Sequence, residues 1–146
     1  GTLQYNPDYW KVLAKVAKEF SLPIRMADEK LLAQYGVTDR RKTAAEMGLL
    51  GPDYLIHSER DAIKKPEDVA PVFEKVLRQL KPGVTEIYIH PSIDSPELKN
   101  ITATHDIRYA EYQWVMSRQL KKLIKRLGIK LISYKPLMEL MQNETQ

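Results

Sequence analysis

The sequence predicts an α/β fold with parallel strands buried between or inside helices. Three observations carry this reading. Helical and strand-like hydrophobic periods alternate along the chain, and the connections between them are short. The segments LPIRM, TEIYIH and KLISY each carry few polar residues before their C-terminal ends. With 146 residues, 43% of them apolar and 29% charged, the chain has the size and composition of one globular domain, taken as residues 1–146.

The elements follow in order. Asn6 is a good helix cap and Pro7 suits the first helical position. Tyr9, Leu13, Val16, Ala17 and Phe20 then recur at helical spacing. LPIRM, residues 22–26, reads as a short strand. Two small helices are expected over Asp28–Tyr35 and Asp39–Met47, closed by Gly36 and Gly48. Tyr54–His57 is a second strand. A helix opens at Pro66, is delayed or kinked by Pro71, and carries Val72, Phe73, Val76, Leu77 and Leu80 on one face. The strand Thr85–His90 and a proline-bounded loop, Pro91–Pro96, come next. One long helix is expected from about Arg108 to Leu127, with Tyr112, Val115, Met116, Leu120, Leu123 and Leu127 inward and Gly128 as its cap. Lys130–Tyr134 is the last strand, and a short helix ends the chain.

Composition excludes several classes. Without cysteine there is no disulfide scaffold, thiolate metal site or cysteine nucleophile. No apolar run reaches the roughly 18 residues of a membrane span. The N-terminus shows neither the charged nor the apolar region of a signal peptide. A net charge of +4 is only mildly basic. The cluster Arg118, Lys121, Lys122, Lys125 and Arg126 lacks interleaved aromatics and any nucleic-acid motif, so it reads as a solvated helix face.

In α/β barrels and open sheets, chemistry sits at the C-terminal strand ends, which would put Arg25 and His90 on one rim. An imidazole at a strand mouth can be a general acid, a general base or a metal ligand; equally, His90 can simply cap its strand. Arg25 can clamp a carboxylate or form a structural salt bridge. Arg108 lies in the first turn of its helix, where a cation is unfavourable, which suggests another task. Glu111 in that turn favours the dipole, and this alone explains it. Asp53 and Asp94 read as turn residues. His57 and His105 lack metal-ligand spacing and read as surface or loop histidines.

The segments KPGVTEIYIHPSID and IRYAEYQWVMSRQLKKLIKRLGIKLISYKPL, with FSLPIR ahead of them, resemble the YdjC-like carbohydrate deacetylases. That is the family of chitooligosaccharide deacetylase and the hopanoid-biosynthesis deacetylase. The resemblance implies a (β/α) barrel of roughly twice this length, built on one divalent metal, Mg or Zn. The family's ligands are an aspartate from an Asp-Asp pair and two histidines, the second in a Ser-His-Met-Gly-Thr type segment. Gly1-Thr2-Leu3 fits the residues just after that histidine. The chain therefore resembles the C-terminal half only, and no metal is expected on it. The resemblance makes His90 the acid that protonates the leaving amine, and Arg25 and Arg108 pocket residues.

The resulting expectation is part of a metal-dependent hydrolase of N-acetyl groups on amino sugars, inactive alone. Its partners are an acetylated amino-sugar substrate and further copies of itself, with no nucleic acid and no membrane. A non-catalytic binding module or pseudoenzyme half is the alternative. A basic nucleic-acid-associated domain is a third reading.

Overall fold

A computed structural model describes residues 2–27, 29–57 and 61–143. The chain folds into two compact units, each with its own core. The α/β class holds, with mostly helices and one small parallel sheet.

The first unit comprises Gly1–Leu55, Gly83–Glu86 and Leu131–Gln146. Helix α1 spans Pro7–Glu19, and the Asn6 side chain accepts the backbone N–H groups of Asp8 and Tyr9. Of the five residues at helical spacing, Ala17 is buried and Leu13 packs against the core, but the other three do not face it. Trp10, Ala14 and Ala17 turn inward, whereas Tyr9, Val16 and Phe20 stand exposed. The helix carries two apolar stripes, and the one holding Trp10 packs with Ile24, Met26, Ala44, Leu49 and Met141.

The segment LPIRM does not form a strand. Pro23 has no N–H to give a ladder. The Ile24 N–H donates to Leu50 O at 2.9 Å. The buried Gln4 side chain takes the place of a neighbouring strand: its amide donates to Arg25 O and accepts from Ala27 N–H. Gly51 permits this close passage, since a Cβ there would lie 2.2 Å from Ile24 O.

Helix α2 covers Glu29–Gln34 and α3 covers Arg40–Glu46, closed as expected at Gly36 and Gly48. The expected start at Asp28 lies outside the described residues. Arg40 is buried, donating from Nε to Gln4 O at 2.8 Å with its guanidinium over the Trp10 ring. The expected strand KLISY is also absent: residues 130–134 form no ladder, and Leu131 is 74% exposed.

Strands β1 (Tyr54–Ile56) and β2 (Thr85–Ile87) are shorter than expected and pair in parallel. In the first unit the Tyr54 N–H donates to Val84 O, and in the second the Tyr88 N–H donates to Ile56 O. Asp53 accepts the Val84 N–H at 2.7 Å, so its turn role holds.

The second unit comprises Ile56–Pro82 and Ile87–Lys130. Pro66–Asp68 forms a single 3-10 turn, and helix α4 follows over Val69–Arg78. Pro71 is tolerated because the first helical turn has no internal acceptors for its N–H groups. Helix α5 spans Pro96–Ile101 and α6 spans His105–Met116. The expected long helix therefore starts three residues early, and it breaks at Ser117. That residue takes ψ 149°, and its side chain accepts the Leu120 N–H to cap helix α7, Arg118–Arg126. A serine hydroxyl competes with helical hydrogen bonding and favours such a cap. The core is Ile63, Val69, Phe73, Ile107, Trp114 and Leu123, while the expected inward Met116 is 60% exposed. Gly128 closes α7 at positive φ, as expected. Helix α8, Lys135–Asn143, returns to the first unit and buries Leu137 and Met141.

Candidate functional site

In the second unit, the chain leaving β2 presents His90. Its backbone N–H donates to Glu111 Oε2 of α6 at 2.7 Å. Glu111 has no exposed surface. The dipole reading of this glutamate is therefore incomplete, because α6 begins at His105 and places Glu111 beyond the first turn. A buried carboxylate accepting a backbone amide makes a charge-assisted bond and fixes where that backbone sits.

The rings around His90 form a series. The Tyr88 ring meets His90 edge-on at 4.6 Å between centroids, and its other neighbour is His57, stacked at 5.2 Å. His57 is exposed, as expected of a surface histidine, and His90 is half-buried. The loop after His90 is held by the Ser92 N–H donating to Arg108 O at 3.0 Å. Arg108 thus acts through its backbone; its Nε reaches Thr104 Oγ1 at 3.5 Å. Asp94 in this loop pairs with Lys99 at 3.1 Å. His105 opens α6 and is half-buried.

Arg25 belongs to the first unit, where it meets Glu86 of β2. Arg25 Nε donates to Glu86 Oε1 at 2.7 Å, Nη2 donates to the same oxygen, and the Tyr134 hydroxyl donates to Oε2. Both readings of Arg25 meet here, since a carboxylate clamp and a salt bridge are the same contact. Burial raises the Glu86 carboxyl, but hydrogen bonds from Arg25 and Tyr134, with the arginine charge, outweigh it and hold the group below the ordinary carboxylate value. Burial and the Glu86 hydrogen bond push the Tyr134 hydroxyl well above the ordinary tyrosine value. The three side chains line a cavity of about 480 Å³ with Leu3, Leu13, Val16 and Leu22. Of the three segments expected as strands, LPIRM and KLISY are not strands. Two of the expected strand ends, Arg25 and Tyr134, nonetheless converge on one carboxylate.

Glu86 and Glu111 escaped the sequence reading as site residues. Glu86 was hidden in an apolar strand, although a lone carboxylate in TEIYIH is itself a signal that something pairs with it. Among the described residues, no group of three His, Asp or Glu side chains is arranged to hold a metal ion.

The sequence profile of the family described as YdjC-like protein matches residues 2–126. No curated protein sequence matches the chain. Among solved structures, a protein of Enterococcus faecalis V583, provisionally described as a cellobiose-phosphate cleavage protein, superposes with a TM-score of 0.67 at 22% identity. The match covers 90% of this chain and 48% of that one, so the chain spans about half the length of its structural neighbour. At this identity the likeness is one of fold.

Proposed function

The chain belongs to the YdjC-like protein family, and from that premise we propose that it forms the C-terminal half of a (β/α) barrel that hydrolyses N-acetyl groups of amino sugars. The observation that supports this most is His90 at the mouth of β2, its backbone held by a buried carboxylate and its ring braced by Tyr88. In this reading water adds to the acetyl carbonyl, the C–N bond breaks, and His90 gives its proton to the departing nitrogen. An amine leaves poorly as an anion, and a positioned proton donor is worth about 10²–10⁴-fold in rate.

Arg25 and Arg108 are the pocket residues of this reading. Arg25 acts with Glu86 and Tyr134 in the wall of its cavity. Arg108 shapes the loop after His90 through its carbonyl. The divalent metal that the resemblance implies, Mg or Zn, would lower the pKa of bound water and polarise the carbonyl. In this reading its ligands would come from the other half of the barrel.

Acetate release from N-acetylglucosamine oligomers tests the proposal. Release by the complete polypeptide, with none by residues 1–146 alone, supports it. No release from any N-acetylated oligosaccharide overturns it. A second reading is a non-catalytic binding half. It would bind the oligomers without releasing acetate.

A further inference from the structure

Outside the His90 neighbourhood, the feature least accounted for is the charge of α7. Its nine residues, RQLKKLIKR, carry five cations and no acid. The helix dipole favours Lys125 and Arg126 in the last turn. It opposes Arg118, which stands at the first helical position, where the free amides already make the potential positive.

Arg118, Lys122 and Arg126 recur every four residues, so they share one face with about 6 Å of rise between successive cations. Like charges at this spacing repel. Together with Glu74, Gln119 and Leu123 they line a groove of about 620 Å³. Glu74 is not their counter-ion, because Arg78 holds its Oε1 at 2.6 Å. Among the described residues, none of the three cations takes part in an ion pair. The three exposed side chains thus give this groove a positive lining.

We propose that this groove, lined from α4 and α7, binds a small molecule bearing a phosphate group. Two guanidinium forks suit the oxygens of a phosphate, and Lys122 between them supplies a compact charge. The volume falls in the range of small-molecule sites. A nucleic-acid strand fits less well, because no aromatic ring lines the groove for a base to stack on. A membrane surface fits less well too. The apolar side of α7 is turned into the unit, with Leu123 buried and Leu120, Ile124 and Leu127 half-buried, so no wedge remains for the acyl boundary.

The experiment titrates the intact chain with inorganic pyrophosphate and with a hexose 6-phosphate, in parallel with phosphatidic-acid vesicles and a single-stranded oligonucleotide. Saturable binding of the hexose phosphate is expected, weakened by about tenfold or more in Arg118→Gln/Lys122→Gln/Arg126→Gln. Lys15→Gln/Lys18→Gln/Lys130→Gln removes the same charge elsewhere and should leave affinity unchanged. The α7 variant relieves repulsion, so its Tm should not fall, and hexose phosphate should raise the Tm of the wild type alone. No saturable binding at millimolar ligand overturns the proposal. Equal losses in both triple variants overturn it as well, since they mark net charge as the cause. Binding confined to vesicles or to the oligonucleotide assigns the groove to those partners and rejects the small-molecule site.

Discussion

The Glu111 carboxylate, with no exposed surface, accepts the His90 backbone N–H at 2.7 Å and so ties α6 to the chain leaving β2. Truncating the acceptor removes a charge-assisted bond inside a packed unit. Glu111→Ala should cost about 1.5–3 kcal/mol in chemical denaturation. Glu111→Gln, whose carbonyl can still accept, should cost less. Amide exchange locates the effect: the His90 amide should lose protection in the alanine variant. An alanine variant as stable as wild type would remove any energetic role for this tie.

The Arg25–Glu86–Tyr134 group sets a pH window. Glu86 titrates below its unfolded value of about 4.3, so its stabilisation is complete above that pH and fades as pH falls through the lower folded value. Tyr134 titrates above its unfolded value of about 10, so its contribution is complete below that pH and fades as pH rises through the folded value. Glu86→Gln should therefore differ most from wild type near neutral pH, the gap closing in acid. Tyr134→Phe should lose part of the alkaline limb. Thermal melts of the three proteins from pH 2 to 11 check both limbs, and parallel curves would show that the group does not titrate as described.

Ser117 caps α7 through its side chain, and the backbone turns there. Ser117→Ala should cost about 1 kcal/mol, within the usual range for a lost cap. Ser117→Asp should recover most of it, since an aspartate accepts the same N–H and favours the dipole. Denaturation midpoints measure both, and an alanine variant more stable than wild type would mean that one continuous helix is the better structure.

Elements with a local chemical signal were legible: the Asn6-Pro7 start, the glycine ends at 36, 48 and 128, and the positions of β1 and β2. Elements defined by a partner were not. LPIRM has a strand's pattern, but a strand needs a neighbour, and a glutamine side chain supplies its hydrogen bonds instead. The apolar period runs unbroken through Ser117, so periodicity alone could not show the break. His90 was visible because the apolar segment TEIYIH ends in His-Pro. Glu111 was not, because its acceptor role depends on an amide 21 residues away.

The first unit exposes Leu3, Val12, Val16, Phe20 and Leu22, each between 43% and 63% accessible. Leu3, Val16 and Leu22 share the cavity of Arg25 and Glu86. Such clustered apolar surface is unusual on a monomer and favours association. The isolated chain should self-associate in sedimentation, and Val16→Lys/Leu22→Lys should shift it toward monomer. A wild type that stays monomeric at high concentration would refute this.

The assignment of His90 as proton donor predicts a particular pattern of loss. In the complete polypeptide, His90→Ala should lower turnover on N-acetylated sugars by about 10²–10⁴-fold. Metal content should be unchanged, because activating water and protonating the leaving nitrogen are separate tasks. The leaving group distinguishes this from a merely structural loss. An amine cannot depart without a proton, whereas a nitrophenolate can. The same variant should therefore retain much more of its activity on an aryl acetate than on the amide. Turnover on both substrates and metal content, measured on the same preparations, decide the matter. Parallel loss of metal and activity would make His90 a ligand. An equal defect on both substrates would make it a structural residue of the β2 mouth, and full activity would leave it a strand cap.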